Sequence, residues 1–273
     1  MDTIQITSTN DVDVIGKIPY RMAFAGGWID QPFISRYNPD PPGSMVVVSL
    51  QPTIRFMELS GMGTSTRKVA QTLWNNGLPD EDPVKLVHLL YKKENEGKSE
   101  PSGSQDMAGI IYPGICRLDY DFNYEGGIFP ANVASSNDPD VAHWLENVVY
   151  MVPVAQRPPG YSPLGKVNLV PEWISRLGQT GRECFDAIIR KNTAALGASM
   201  NACMECWEYI LPQTVRHPAI RIDLPEILWH YQSRYAGAMY SGCGGGYLYV
   251  VSNDPVPGGF RVQVRYSSST KSL

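Results

Sequence analysis

Apolar residues recur along the chain in short alternating or continuous runs, which is the pattern of strands that are partly or wholly buried. The runs are rich in β-branched residues and are bounded by Gly, Pro, Asn or Asp. The predicted strands are Asp13–Ala25, Ser44–Leu50, Thr53–Glu58, Ile110–Asp121, Gly127–Val133, Val148–Val154, Tyr247–Ser252 and Gly259–Tyr266.

Longer segments with apolar positions every three or four residues predict helices between these strands. Asp82 followed by Pro83 is a typical helix start. The predicted helices are Thr66–Asn75, Pro83–Glu96, Pro171–Leu211 with a break near Gly178–Gly181, and Glu226–Ala238. Strands come first, helices are interspersed, and two strands close the chain, so an α+β fold is predicted rather than a repeated βαβ sheet.

The composition indicates a well-packed globular protein. The 273 residues are 43% apolar and 18% charged, which excludes intrinsic disorder. The net charge of −4 gives no electrostatic footprint for nucleic acid or an anionic membrane. No apolar run is long enough to span a bilayer, and the polar first residues lack the layout of a signal peptide, so we expect a cytoplasmic protein. Any phosphate must then be held by backbone amides and a few well-placed cations.

The cysteines and histidines do not indicate a metal site. Cys203 and Cys206 have a suggestive spacing, but they lie in a helical pattern and cannot alone complete a zinc site. We interpret them as two packed thiols; redox or metal chemistry is the alternative. The histidines are scattered and are expected to be structural or exposed: they are His88, His143, His217 and His230.

Three glycine-bearing loops are candidates for ligand binding. Ser60–Thr66 precedes a predicted helix, where free N–H groups and the helix dipole favour an anion; the alternative is an ordinary N-cap turn. Gly26–Gly27 lies between Arg21 and Asp30, a donor fork and a carboxylate suited to a polyhydroxy or phosphorylated ligand; a surface ion pair is the alternative. Ser241–Gly246 has four glycines in six residues and could equally be a tight turn between crossing backbones.

A fourth segment supplies carboxylates. Asp106 follows Gly103 on a predicted loop, and Glu94 lies near the end of the preceding helix. One carboxylate could act as general base for a hydroxyl and the other could hold Mg²⁺. The alternative is a pair of solvated acids.

Two further pairs of residues have simpler interpretations. Arg157 and Tyr161 lie in a Pro/Gly loop, and we interpret them as loop residues, with substrate contact as the alternative. Asp119 and Asp121 alternate with apolar neighbours, which predicts the solvated face of a half-buried strand.

In their order and character, the four segments resemble the motifs of the galactokinase, homoserine kinase, mevalonate kinase and phosphomevalonate kinase (GHMP) superfamily. The resemblance is closest to the heptose-phosphate kinase and fucose kinase branch. The matching segments are IPYRMAFAGGWIDQP, SGMGTST, ENEGKSEPSGSQDM and MYSGCGGGYLYV, and together they span Ile18 to about Val251.

The resemblance implies a two-lobed GHMP kinase-like α+β fold and ATP- and Mg²⁺-dependent phosphorylation of a sugar or sugar phosphate. It implies a ribosomal-protein-like N-terminal lobe over residues 1–145 and an α/β C-terminal lobe over residues 146–273. The stretch from Pro32 to Ser60 is shorter than is usual before the phosphate loop, and Cys243 replaces a common alanine. Homodimer formation stays open.

The resemblance also assigns roles to residues of this chain. The catalytic residues it implies are Asp106 and Arg21. The nucleotide-binding residues are Ser60, Gly61, Met62, Gly63, Thr64 and Ser65. The substrate-binding residues are Gly26, Gly27, Trp28, Asp30, Gly242, Gly244 and Gly245. The Mg²⁺ ligands are Ser65 and Glu94.

Two alternatives to a sugar kinase stay open. One is a catalytically weak or inactive sugar- or nucleotide-binding regulatory protein on the same scaffold. The other is different chemistry on that scaffold, such as an ATP-driven decarboxylase or a kinase of a non-sugar alcohol.

Overall fold

Two antiparallel sheets and eight helices form the described part of the chain, which comprises residues 15–98, 100–158 and 160–266 of a computed structural model. The strands are β1 Tyr20–Ala23, β2 Gly43–Leu50, β3 Ile115–Tyr120, β4 Asn132–Ser136, β5 Val149–Ala155, β6 Gly237–Gly242 and β7 Gly245–Val251. The helices are α1 Pro32–Ser35, α2 Thr64–Leu73, α3 Pro83–Glu94, α4 Gln105–Ile111, α5 Pro139–Val148, α6 Pro171–Ile189, α7 Thr193–Ile210 and α8 Leu224–Gln232.

The first sheet has the order β1-β2-β3-β4 and the second the order β5-β7-β6. Every strand of the first sheet precedes residue 145 and every strand of the second follows it, while α6 packs across β2 of the first sheet. The lobe boundary at residues 145 and 146 therefore stays a prediction. Within the described residues, no helix is both long and apolar enough to cross a bilayer.

Close backbone approach explains why α6 runs unbroken through the glycines where a break was predicted. A Cβ on Gly181 would lie 1.9 Å from the carbonyl oxygen of Ser44 on β2, and one on Gly178 would lie 2.6 Å from the Cα of Gly43. The glycines let the helix touch the sheet backbone, so they serve tertiary packing rather than helix termination. The chain turns instead at Arg190–Asn192, between α6 and α7.

Several other predicted elements are wrong. Residues 53–58 form no strand, and Phe260 and Val264 make single bridges rather than a closing strand. Helix α5 was not predicted, and α8 ends before β6, whose first residues had been included in a helix. The start of the predicted strand Asp13–Ala25 lies outside the described residues; its described strand is β1.

Asp106 lies in helix α4 rather than on the predicted loop, and the helix extends to Ile111, two residues into the predicted strand Ile110–Asp121. The last five residues of the helix, Met107–Ile111, are all buried, so no polar face remains to mark the helical period. A short apolar run of this kind does not distinguish a strand from a buried helix.

Asp119 is also a correction, because the predicted solvated face is buried at this position. Its side chain accepts hydrogen bonds from Ser44 Oγ (2.6 Å), Arg117 Nε (2.9 Å) and Asn132 Nδ2 (2.8 Å). Burial alone would raise the pKa of Asp119, but these hydrogen bonds outweigh it and the pKa lies below its usual value. The carboxylate joins β2, β3 and the start of β4.

Candidate active site

Three distant segments meet at one ion pair. Arg21, on β1, donates from Nε to Oδ1 of Asp106 at 2.7 Å, and its Nη2 contacts the same oxygen. The remaining nitrogen of Arg21, Nη1, donates to the carbonyl oxygen of Gly61 at 2.7 Å. Thr66, in the first turn of α2, donates to Oδ2 of Asp106 at 3.3 Å. The guanidinium therefore links the carboxylate at the start of α4 directly to the glycine loop before α2.

A cavity of about 210 Å³ opens beside this pair. Its charged and large side chains come from segments far apart in sequence: they include Arg21, Trp28, Asp30, Asp106, Arg157 and Trp207. Sites for drug-sized ligands usually measure about 300–1,000 Å³, so this cavity suits a smaller, polar molecule. Trp28 has φ of 83°, a left-handed conformation that is rare for a residue with a large side chain. Strain of this kind is concentrated at functional sites.

Asp30 carries the strongest sign of a missing partner. The residue is 1% exposed, and neither of its carboxylate oxygens has a hydrogen-bond partner among the described residues. Its neighbour Gly103 has no room for a side chain, because a Cβ there would lie 1.7 Å from Asp30 Oδ2. Burial, reinforced by the negative charge of Asp106 and only partly offset by the backbone N–H groups of Asp30 and Gln105 and by the charge of Arg21, raises the pKa of Asp30 from 3.8 to about 7. Buried polar groups are nearly always hydrogen-bonded, so two orphaned oxygens on a cavity wall indicate a ligand with hydroxyl donors.

The two remaining glycine segments pack back to back. Gly61 has φ of 75°, and a Cβ on it would lie 2.3 Å from the carbonyl oxygen of Ser241. Ser241 Oγ donates to the carbonyl oxygen of Ser60 at 2.6 Å and accepts from the backbone N–H of Tyr247 at 2.9 Å. Gly63 is the N-cap of α2 and offers no side chain, so the first N–H groups of that helix are left for another acceptor. This arrangement is compatible with a backbone cradle for an anion.

Not all residues assigned by the resemblance line the cavity. Those that do are Arg21, Trp28, Asp30, Gly61, Asp106 and Gly242. Those that do not are Gly26, Gly27, Ser60, Met62, Gly63, Thr64, Ser65, Glu94, Gly244 and Gly245.

Packing contacts explain several of these positions. The N–H of Gly26 donates to Cys203 Sγ at 3.3 Å, and Trp207 Nε1 donates to the carbonyl oxygen of Gly27 at 3.0 Å, so α7 fixes the glycine pair. Met62 is fully buried, with its sulfur accepting from Tyr249 Oη at 3.1 Å. Its side chain anchors the loop in the core. Cys203 is a buried free thiol, as is Cys206, which confirms the prediction of packed thiols.

The predicted magnesium ligands, Ser65 and Glu94, offer one available side-chain oxygen each. Glu94 is 6% exposed; its Oε1 lies 3.4 Å from both Lys98 Nζ and Ser102 Oγ, and its Oε2 has no partner among the described residues. Ser65 is exposed at the start of α2. The described residues hold no group of three potential His, Cys, Asp or Glu ligands. Two protein oxygens fit Mg²⁺ only where phosphate oxygens and water complete its shell, which is its usual mode with nucleotides.

Two cavity residues, Arg157 and Gln105, have no firm assignment from the sequence. Arg157 lines the cavity although a plain loop residue was the preferred interpretation. Gln105 lines it next to Asp106, and its Oε1 is a further buried acceptor without a partner in the described chain. In the sequence, Gln105 could have been found from its position next to Asp106. Arg157 could have been found only as a positively charged residue in a loop that follows a strand.

Comparison with known proteins identifies the fold. No family model matches the chain, and no curated protein sequence matches it. Among solved structures, Lactococcus lactis galactokinase complexed with galactose is 13% identical, with a TM-score of 0.62 over 92% of this chain and 93% of that one. L. major mevalonate kinase in complex with R-mevalonate is 11% identical, with a TM-score of 0.57 over 93% and 96%. A D-glycero-D-manno-heptose 1-phosphate kinase from Bacteriodes thetaiotaomicron is 10% identical, with a TM-score of 0.56 over 92% and 95%.

The chain thus has the fold of GHMP kinases, which confirms the predicted fold. At 10–13% identity these likenesses concern the fold, so membership of the superfamily and of any branch within it stays a prediction.

Proposed function

We propose that this protein is a kinase that transfers a phosphoryl group from ATP to a hydroxyl of a sugar or sugar phosphate. The observation that carries the proposal is the meeting of Arg21, Asp106 and the Gly61 loop at a small cavity that also holds the unpartnered carboxylate of Asp30. The kinase fold of the neighbours supports it.

The residues divide the work as phosphoryl transfer requires, through positioning and charge stabilisation. The hydroxyl oxygen of the acceptor molecule bonds to the γ-phosphorus of ATP, and the bond between that phosphorus and ADP breaks. Asp106 accepts the proton that the hydroxyl loses. Arg21 fixes the orientation of Asp106 and places positive charge beside the glycine loop. Asp30 and Gln105 accept hydrogen bonds from other hydroxyls of the acceptor.

The nucleotide phosphates are assigned to Ser60–Ser65, where the backbone N–H groups at the start of α2 provide donors. Ser65 and Glu94 would hold Mg²⁺, which neutralises phosphate charge when bound. The cavity itself is assigned to the acceptor, since its volume and buried acceptor atoms suit a small polyol.

The test is an Asp106→Asn variant assayed against a panel of free and phosphorylated sugars, with ATP, other nucleotides and pyrophosphate as donors. We expect turnover to fall by about 10²–10⁴-fold, because a general base is lost while the side chain keeps its shape. Asp121→Asn, a change outside the cavity, is the matched control and should keep full turnover. Unchanged turnover in the folded Asp106→Asn variant would remove this residue from the mechanism.

A regulatory binding protein is the second candidate, favoured by one observation. Neither Ser65 nor Glu94 lines the cavity that holds Asp106. Calorimetry with ATP–Mg²⁺ and with sugars separates the two candidates: sugar binding without turnover of any donor would favour the regulatory protein.

A further inference from the structure

The charges of the cavity leave one cation without a counter-ion. Its charged lining residues are Arg21, Asp106, Asp30 and Arg157. Arg21 and Asp106 form an ion pair with each other. Asp30 is buried, and burial disfavours its ionised form. Arg157 is in no ion pair with any described residue, so its charge is available to a ligand.

Arg157 is held in place rather than free to move. Its backbone N–H donates to the carbonyl oxygen of Leu59 at 3.2 Å, and its Nε donates to the carbonyl oxygen of Cys243 at 2.9 Å. The guanidinium carbon lies 5.8 Å from the centre of the Tyr161 ring. These contacts fix one edge of the guanidinium, while Nη1 and Nη2 donate to no acceptor within the described residues.

A fixed guanidinium with two free nitrogens is suited to bidentate recognition of an oxyanion. A neutral sugar offers only hydroxyls there and leaves the positive charge uncompensated. In a cavity of about 210 Å³, a single small ligand reaches both Arg157 and Asp106. Arg21 is already engaged by the carboxylate of Asp106 and by the carbonyl oxygen of Gly61, so it offers no free nitrogen pair to a ligand oxyanion.

We infer that the acceptor is itself an anion, a sugar bearing a phosphate monoester or a carboxylate, and that Arg157 binds this group as the residue that selects charged over neutral acceptors. This inference rests on the proposed function, because it takes the bound sugar to be the molecule that is phosphorylated. The anion-binding role of Arg157 is testable without any phosphoryl transfer.

The test is titration calorimetry without nucleotide, at fixed ionic strength. The probes are matched sets of one hexose, its phosphate monoester and its uronic acid, in the glucose, galactose and mannose series. Wild-type protein should bind an anionic member at least tenfold more tightly than the neutral hexose. The affinity of Arg157→Gln for that anionic sugar should be about 10–100-fold lower, while its affinity for the neutral hexose should be unchanged. The phosphate and uronate arms identify which oxyanion is bound.

Arg221→Gln is the charge-matched control, because Arg221 is exposed and does not line the cavity; it should leave all affinities unchanged. Arg157→Lys keeps the charge without the fork and should show an intermediate loss. It also keeps the test decisive if Arg157→Gln fails to fold, as thermal unfolding would show.

Three outcomes would overturn the inference: no preference of the wild-type protein for anionic sugars, an equal loss of affinity for neutral and anionic sugars in Arg157→Gln, or no loss of affinity for either in that variant. Failure of the proposed function looks different. In that case sugar anions bind in an Arg157-dependent way, yet no donor is turned over.

Discussion

Replacing Asp30 by asparagine is expected to stabilise the folded protein above neutral pH. The carboxylate is buried with no hydrogen-bond partner among the described residues, and it lies close enough to Asp106 for the two negative charges to repel each other. Asparagine is nearly the same size and cannot ionise. The substitution therefore removes an energetic cost without leaving a hole in the core.

The magnitude follows from linkage between protonation and folding. The pKa of Asp30 is raised from 3.8, its ordinary value, to about 7 in the folded protein. Between these values the folded state binds more protons than the unfolded state, so the free energy of unfolding falls as the pH rises. The free energy of unfolding falls most steeply between pH 4 and pH 7 and levels off above pH 7. From pH 5 to pH 8 the loss amounts to about 2–3 kcal/mol.

The assay is urea unfolding of wild type, Asp30→Asn and Asp80→Asn at several pH values from 5 to 8. Asp80 is exposed and serves as the control for removing one carboxylate. The difference in stability between Asp30→Asn and wild type should grow by about 2–3 kcal/mol across this range, while Asp80→Asn should track wild type. A difference that does not change with pH would show that Asp30 ionises normally and would refute the reasoning. The stabilised variant should also bind sugar more weakly, a trade-off common at functional sites.

Two glycine substitutions test the packing around the site. Gly61→Ala should lower the stability in thermal unfolding more than Gly97→Ala, although both residues have φ of 75°. The reason is that, of these two glycines, only Gly61 faces a backbone atom: its Cβ would lie 2.3 Å from the carbonyl oxygen of Ser241. Equal losses of stability would mean that backbone strain alone matters. Gly181→Ala should destabilise by about 1–3 kcal/mol in urea unfolding, since its Cβ would lie 1.9 Å from Ser44 O, and a neutral or stabilising effect there would contradict the close packing of α6 on β2.

The glycine motifs made the fold predictable where local pattern did not. The segments around Gly26, Gly61 and Gly242 kept the order expected of GHMP kinases, and this order led to the correct fold despite several misplaced elements. The hydrophobic pattern predicted the boundaries of β2, β5, β7 and α3 to within about two residues. These elements are marked by continuous apolar runs or by a helix-start signal within the segment itself. The pattern failed where a residue's environment is set by a distant segment, as for the glycines of α6 and for Asp119.

Part of the candidate site lay beyond sequence reasoning for the same physical reason. The ion pair between Arg21 and Asp106 joins residues 85 positions apart. The burial of Asp30 depends on Gly103, which leaves no side chain between the two segments. Arg157 reaches the cavity because its Nε is tied to the carbonyl oxygen of Cys243, in a motif 86 positions away. None of these dependencies has a local period or spacing.

The two orphaned groups of the cavity are best understood together. Within the described chain, the carboxylate oxygens of Asp30 accept no hydrogen bond and Arg157 has no anionic acceptor. The two side chains form no ion pair with each other. A protein that needed only stability would gain by replacing the buried carboxylate, since burying an unpaired polar group is costly. Both groups are accounted for if one molecule supplies hydroxyls to Asp30 and an oxyanion to Arg157 while presenting another hydroxyl to Asp106. A neutral polyol meets the first and third requirements only, which is why the charge of the acceptor is the sharpest question for this site.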